Sequence, residues 1–244
     1  MRIDIATLFP EMCERVLSES IIGRARAEHK VEIHCHDIRD YTKDRHNRVD
    51  DAPYGGGMGM VMSAQPIYDC VKAVAAQHEH PPRIIYLSPK GKTFDQKKAI
   101  ELSELSGMIL LCGHYEGVDE RVLQRVVDEE ISLGDFVLTG GEIAAMAVAD
   151  AVCRLLPGVL SDEVCFQEES HFSGLLEYPQ YTRPAVWEGM EVPEILLSGH
   201  HANITRWRRE QSLKTTLEKR PELLETADLS REDQAYLDKQ KRGK

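Results

Sequence analysis

Leu133-Gly134-Asp135-Phe136-Val137-Leu138-Thr139-Gly140-Gly141-Glu142 decides how this chain is read. A short apolar segment, bracketed by glycines, opens directly into a second apolar run over residues 142–156. The pattern predicts a strand over 131–138 followed by a helix. Glycine tolerates positive φ and lets a backbone come close to a ligand. Glycines on both sides of one strand therefore leave N–H and C=O groups available to hold something flat. The spacing is neither G-x-G-x-x-G nor G-x-x-x-x-G-K-[ST]. A nucleotide-like pocket is expected, built on neither of the two commonest nucleotide-binding turns.

Upstream, the same grammar repeats. Strands are expected over 3–8, 31–35, 84–87 and 108–112. Helices are expected over 11–28, 63–77 and 119–127, with another starting at a capping box formed by Thr93 and Gln96. This β-α-β-α order implies an α/β domain with a mostly parallel sheet covered by helices. Ser88-Pro89-Lys90-Gly91, Gly113-His114-Tyr115-Glu116-Gly117 and Gly140-Gly141 follow successive strands. Each alone reads as an ordinary turn. Together, at neighbouring strand ends, they mark the carboxyl edge of the sheet, where open α/β sheets bind ligands. Residues 39–62 lack any period and contain Tyr54-Gly55-Gly56-Gly57-Met58-Gly59, a long loop of the kind that usually carries function.

Pro157-Gly158 ends the last helix of this domain. The expected organisation is an α/β domain over 1–160, a flexible linker over 161–174 and a polar helical domain over 175–244. Of 244 residues, 42% are hydrophobic and 29% charged, ordinary values for a globular protein. No apolar run reaches the roughly 18 residues that span a bilayer, and the N-terminus lacks a signal-peptide layout. A cytoplasmic protein without membrane partners is expected. The six cysteines form no C-x-x-C pair, so buried thiols are expected rather than disulfides, and no metal site. A net charge of −11 argues mildly against nucleic acid. Two basic islands argue the other way. Arg206, Arg208, Arg209, Lys214, Lys219 and Arg220 are diluted by Glu210 and Glu218 alone, and Arg39, Lys43, Arg45 and Arg48 by Asp40 and Asp44.

Three further groups bear on chemistry. Asp150 and Arg154 stand four apart on an apolar helix, the spacing of a simple ion pair. An arginine buried near a pocket can also hold an oxygen that gains charge during reaction. Glu168 and Glu169, beside Ser170 and His171, read as solvated linker charge or as a general base on a mobile segment. His34, His36 and His46 lack metal-ligand spacing and read as surface residues.

The motifs closely resemble those of the bacterial tRNA (guanine-N1)-methyltransferases of the SPOUT class, nearly from end to end. The match includes Leu8-Phe9-Pro10-Glu11-Met12, Val49-Asp50-Asp51 with Pro53-Tyr54-Gly55-Gly56-Gly57, and Tyr86-Leu87-Ser88-Pro89. It continues through Gly113-His114-Tyr115-Glu116-Gly117-Val118-Asp119, Gly140-Gly141-Glu142 and Leu197-Ser198-Gly199-His200-His201. The resemblance implies an S-adenosyl-L-methionine-dependent enzyme that methylates N1 of guanosine at tRNA position 37. It implies a SPOUT-type sheet with a deep trefoil knot, a small all-α C-terminal domain that clasps tRNA, and a homodimer with its active site at the subunit interface. Implied cofactor contacts are Tyr86, Leu87, Ser88 and Pro89 in the first turn, and Gly113, Tyr115 and Glu116 in the second. In the third they are Leu133, Gly134, Asp135, Phe136, Val137, Leu138, Gly140 and Gly141. The implied catalytic pair is Arg154 and Glu169. Here the chain departs from the family, which usually has aspartate at the second position. It also has His114 where arginine is common and Phe136 where tyrosine is common. Two other classes stay open on sequence grounds: a non-catalytic RNA-binding protein, and a methyltransferase acting on another substrate.

Overall fold

The computed structural model describes residues 1–160 and 169–242. It divides into two compact units, Met1–Glu163 and Val164–Lys244. The predicted linker falls partly, over 161–168 and with it Glu168 and Cys165, outside the described residues.

The first unit is an α/β domain on a five-stranded sheet in the order β2-β1-β6-β5-β7, every pair parallel. The strands are β1 (Arg2–Thr7), β2 (Glu32–Asp37), β5 (Arg83–Thr93), β6 (Gly107–Cys112) and β7 (Glu129–Ser132). Parallel sheets form where both faces can be covered, and the wholly buried β6, GMILLC, is the continuous apolar run this requires. Alternation along β1 sends Ile3 and Ile5 to one face and Ala6 to the other. The first face is covered by α1 (Pro10–Leu17), α2 (Ser20–Ala27), α4 (Gln96–Ser103) and α6 (Glu142–Cys153). The second is covered by α3 (Ala64–Ala75) and α5 (Glu120–Val126). The loop between Tyr41 and Ala64 contains only a two-residue pairing of β3 (Asp50–Asp51) with β4 (Val61–Met62).

This first unit differs from expectation in four places, and the second, expected to be all-α, also holds a short β-hairpin. The helix expected over 11–28 is two helices, because Ser20 takes φ 54° and starts a new one whose Gly23 lies against the Ser18 carbonyl. Asp95, not Thr93, caps α4, its side chain accepting from Lys98 N–H at 2.8 Å. Ser88-Pro89-Lys90-Gly91 lies within β5, not after it. Leu87 and Lys92 both pair with Ile131, so the four residues bulge out of the ladder and the strand resumes. Gly91 permits this, since a Cβ there would stand 2.5 Å from the β7 backbone.

The fourth difference lies at the glycine-bracketed segment itself. β7 stops at Ser132, and residues 133–138 form an irregular loop. The Ser132 hydroxyl bonds both the N–H and the C=O of Gly134, which takes φ 150°, and the Phe136 N–H returns to the Gly134 carbonyl at 2.9 Å. The apolar residues after this turn are not core: Phe136 is 54% exposed and Val137 82%.

The second unit is mainly helical, with α7 (Glu194–Leu197), α8 (His201–Lys219) and α9 (Arg231–Arg242), plus a two-residue hairpin of β8 (Val186–Trp187) and β9 (Met190–Glu191). Its core is Leu175, Leu213 and Leu237. Ser230 and Asp233 form a reciprocal capping box at the start of α9. Residues 169–174 bond within this unit: the Glu177 N–H donates to Ser170 Oγ, and the His171 N–H to the Leu175 carbonyl. Among the described residues no helix is long and apolar enough to cross a membrane.

Candidate functional site

Beside the bulge of β5 and beyond the carboxyl ends of β6 and β7 the chain forms a half-open cavity of about 230 Å³. Its walls come from three segments. The bulge supplies Tyr86, Leu87, Ser88, Pro89 and Lys90. The turn after β6 supplies Gly113, His114, Tyr115 and Glu116. The segment leading into α6 supplies Leu133, Phe136, Val137, Leu138, Thr139, Gly140 and Gly141. The three turns read from the sequence thus share one cavity. Gly134 and Asp135 do not line it. They form the turn that carries Phe136, with Gly134 packed against its ring.

The walls stand where they do because backbone meets backbone. The Gly141 N–H donates to the Gly113 carbonyl at 3.0 Å, and His114 bridges Gly140. A Cβ on Gly141 would lie 2.7 Å from Cys112 Cα, and one on Gly113 would lie 2.7 Å from the Tyr86 hydroxyl. A side chain at either position would push the walls apart. Tyr115 takes φ 60°, unusual for a residue with a Cβ, and Gly117 takes φ 134°. Burial, and then the nearby Glu130 carboxylate, push the Tyr86 phenol up to about 12, so its hydroxyl remains a hydrogen-bond donor.

The glycine-rich loop docks on this rim. The Glu116 N–H donates to the Met60 carbonyl at 3.0 Å, and the Met62 N–H to the Gly117 carbonyl at 2.9 Å. Gly59 lies against the Glu116 side chain, where a Cβ would be 2.6 Å from a carboxylate oxygen. Tyr54 and Met58, at the loop tip, are almost fully exposed.

Beneath the pocket lies a group of polar residues that the sequence did not reveal. Glu142, buried at the first turn of α6, accepts a 2.6 Å hydrogen bond from the Thr7 hydroxyl and lies 3.0 Å from His114 Nε2. Thr7 is 135 positions away in the chain, so no local pattern could have paired them.

Arg154 is the C-cap residue of α6, half-buried rather than in the helix interior as expected, so its burial there needs no special reason. Glu169 is half-buried in the second unit. Of the C-terminal basic residues, Arg206, Lys214, Lys219 and Arg220 are exposed. Arg209 instead pairs with Asp233 at 2.9 Å, and Arg208 stacks over the Tyr178 ring. His36 is not a surface residue, since its Nε2 lies 2.6 Å from the buried Asp4. Among the described residues no cluster of three or more His, Cys, Asp or Glu side chains could hold a metal ion.

The family model described as tRNA (Guanine-1)-methyltransferase TrmD matches residues 1–226. A protein of Ruminiclostridium cellulolyticum named tRNA (guanine-N(1)-)-methyltransferase is 58% identical over 91% of this chain and 96% of its own. Proteins of the same name are 59% identical in Chloroflexus aggregans, over 93% of this chain and 89% of theirs, and 50% identical in Bacillus cereus, over the whole of both.

Proposed function

The chain belongs to the tRNA (guanine-1)-methyltransferase family, and we propose from this that it uses S-adenosyl-L-methionine to methylate N1 of guanosine 37, immediately 3′ of the anticodon. The observation that carries the reading is the meeting of the β5 bulge and two glycine-bearing turns around one cavity at this edge of the sheet. The residues fit such a ligand: the main chain of Gly113, Gly140 and Gly141 forms part of the cavity wall, with Tyr86 as a phenolic donor beside it. When bound, S-adenosyl-L-methionine supplies an activated methyl group.

Guanine N1 carries a proton and is a weak nucleophile. Removing that proton leaves negative charge largely on O6. Glu169 is the base in this reading and Arg154 the cation that holds O6. A positioned base contributes about 10²–10⁴ in rate, and a positioned donor to a developing oxyanion about 3–4 kcal/mol. Glutamate in place of the family's usual aspartate keeps the carboxylate with one methylene more reach.

The proposal extends to tRNA and a homodimer as partners. Met12 and Val16 on α1 and Ile143 on α6 are 42%, 54% and 48% exposed, an apolar face on packed helices that a second copy would cover. The active site is assigned to that subunit interface. The reading also includes a trefoil knot near the pocket. Its place is the cytoplasm, with its tRNA.

Mass spectrometry of nuclease-digested tRNA, after incubation with protein and S-adenosyl-L-methionine, tests the function. One methyl at N1 of guanosine 37 is the expected product; a methyl elsewhere, or none, overturns it. Glu169→Gln tests the base: turnover should fall about 10²–10⁴-fold while donor affinity holds.

A further inference from the structure

His114 lines the cavity, and its ring is held from three directions. Its Nε2 faces the buried Glu142 carboxylate at 3.0 Å. Its ring packs on Phe9 at 4.9 Å and on Tyr115 at 5.9 Å between centroids. Its backbone N–H reaches the Met62 sulfur at 3.2 Å. Glu142 is held in turn by the Thr7 hydroxyl, which also accepts the Phe9 N–H at 2.9 Å. The ends of β1 and β6 and the start of α6 are thereby joined through one side chain.

A carboxylate can only accept hydrogen bonds, so a neutral imidazole facing it carries its proton on Nε2. Nδ1 is then an acceptor, and it is the only ring nitrogen left to meet a ligand. We propose that His114, oriented by Glu142 and Thr7, is an additional specificity-determining residue of the methyl-donor pocket, accepting a hydrogen bond at Nδ1 from an amino or hydroxyl group of the donor. Arginine, common at this position in the family, has donors only and offers no such acceptor. The inference rests on the donor-binding reading above.

Two isosteres separate this role from a structural one. Glutamine places an N–H near Nε2 and keeps the contact to Glu142, but has no acceptor at Nδ1. Asparagine places its carbonyl oxygen near Nδ1 and gives up the contact to Glu142. Binding of S-adenosylhomocysteine, without tRNA, is measured by calorimetry at pH 8 alongside the melting temperature. His114→Gln is expected to melt near wild type and bind about tenfold more weakly, the weight of one hydrogen bond. His114→Asn is expected to melt lower yet bind within about threefold of wild type. In ¹⁵N spectra of the imidazole, Glu142→Gln, whose amide can donate to Nε2, should move the ring proton to Nδ1 and weaken binding as His114→Gln does. Wild-type affinity in His114→Gln overturns the inference, as does the reverse order of the two variants. A wild-type protein that binds no S-adenosylhomocysteine overturns the donor-binding reading itself.

Discussion

Two buried carboxylates, served by opposite ends of β1, make a controlled pair. Asp4, near the start of the strand, is fully buried and receives hydrogen bonds from Arg2 Nε at 2.8 Å and Arg2 Nη2 at 3.0 Å. His36 Nε2 and His78 Nε2 lie 2.6 and 2.8 Å from its two oxygens. Glu142, reached from Thr7 at the strand's other end, also faces a histidine, and that histidine lines the cavity walled by Gly113, Gly140 and Gly141. Burial alone would raise the Asp4 carboxyl; the hydrogen bonds from His36 and Arg2 outweigh it and hold it down at about 2. A buried acid is therefore weighed by its surroundings. Asp4, whose two oxygens are taken by one guanidinium and two imidazoles, fixes the fold. Glu142, whose histidine belongs to the glycine-walled cavity, can fix a ligand.

Substitutions put that distinction at risk. The greatest change is expected from Asp4→Asn, which leaves a guanidinium and two imidazoles facing a neutral amide. Removing one partner of a buried ionic group costs about 3 kcal/mol or more, so denaturant titration should show the folded fraction falling at least a hundredfold relative to the unfolded. Affinity for S-adenosylhomocysteine, measured where the variant is still folded, should not change. A loss of affinity at constant stability would erase the distinction between the two carboxylates.

Acid puts the Asp4 group to a second test. Because the Asp4 carboxyl in the folded protein sits at about 2, against 3.8 ordinarily, it contributes about 2 kcal/mol of stability above its ordinary range. That contribution is present near neutrality and lost as pH falls from about 5 toward 2. Stability measured across that window should decline less in Asp4→Asn than in wild type; equal slopes would mean that other groups carry the acid response. A smaller effect belongs to the other end of β1. Gly140→Ala would drive a methyl group into His114 Nε2 and Glu142 Oε2, and donor affinity should fall about tenfold, a strain near 1–3 kcal/mol. Unchanged affinity would show that the pair tolerates separation.

The same contrast explains what was legible in the sequence. Gly113, Gly140 and Gly141 announced close backbone approach because glycine serves that need locally, and they do line one cavity. The buried, uniformly apolar β6 was legible for the same kind of reason. The Asp4 and Glu142 groups were not, since Arg2 apart their partners lie 28 to 135 positions away and only the finished sheet brings them together. His36 reads as a surface residue in an alternating strand until Asp4 is seen on the neighbouring strand. Residues 133–138 misled for a different reason. Phe136, Val137 and Leu138 have strand propensity, but the Ser132 hydroxyl and the positive φ of Gly134 turn the chain out first. Apolar residues exposed at a pocket rim look like core when only their hydropathy is read.

The slightest effects carry the contrast over to cations in the second unit. Arg209 and Arg206 are three apart on α8 and count equally toward a basic island. Arg209 is committed: it bonds Asp233 through two nitrogens and the Asp228 carbonyl through one, and Asp233 also caps α9. Arg206 is exposed. Removing one cation that meets a phosphate should weaken tRNA binding a few-fold and lower the salt slope by about one. Arg206→Ala should therefore bind tRNA a few-fold more weakly with a shallower salt dependence and an unchanged melting temperature. Arg209→Ala should lower the melting temperature, because it strips a partner from a capping carboxylate, and leave the salt slope of the remaining folded protein near wild type. If the two variants exchanged these signatures, exposure would have failed as a guide to which cations meet the RNA, and the island would have to be treated as a single field.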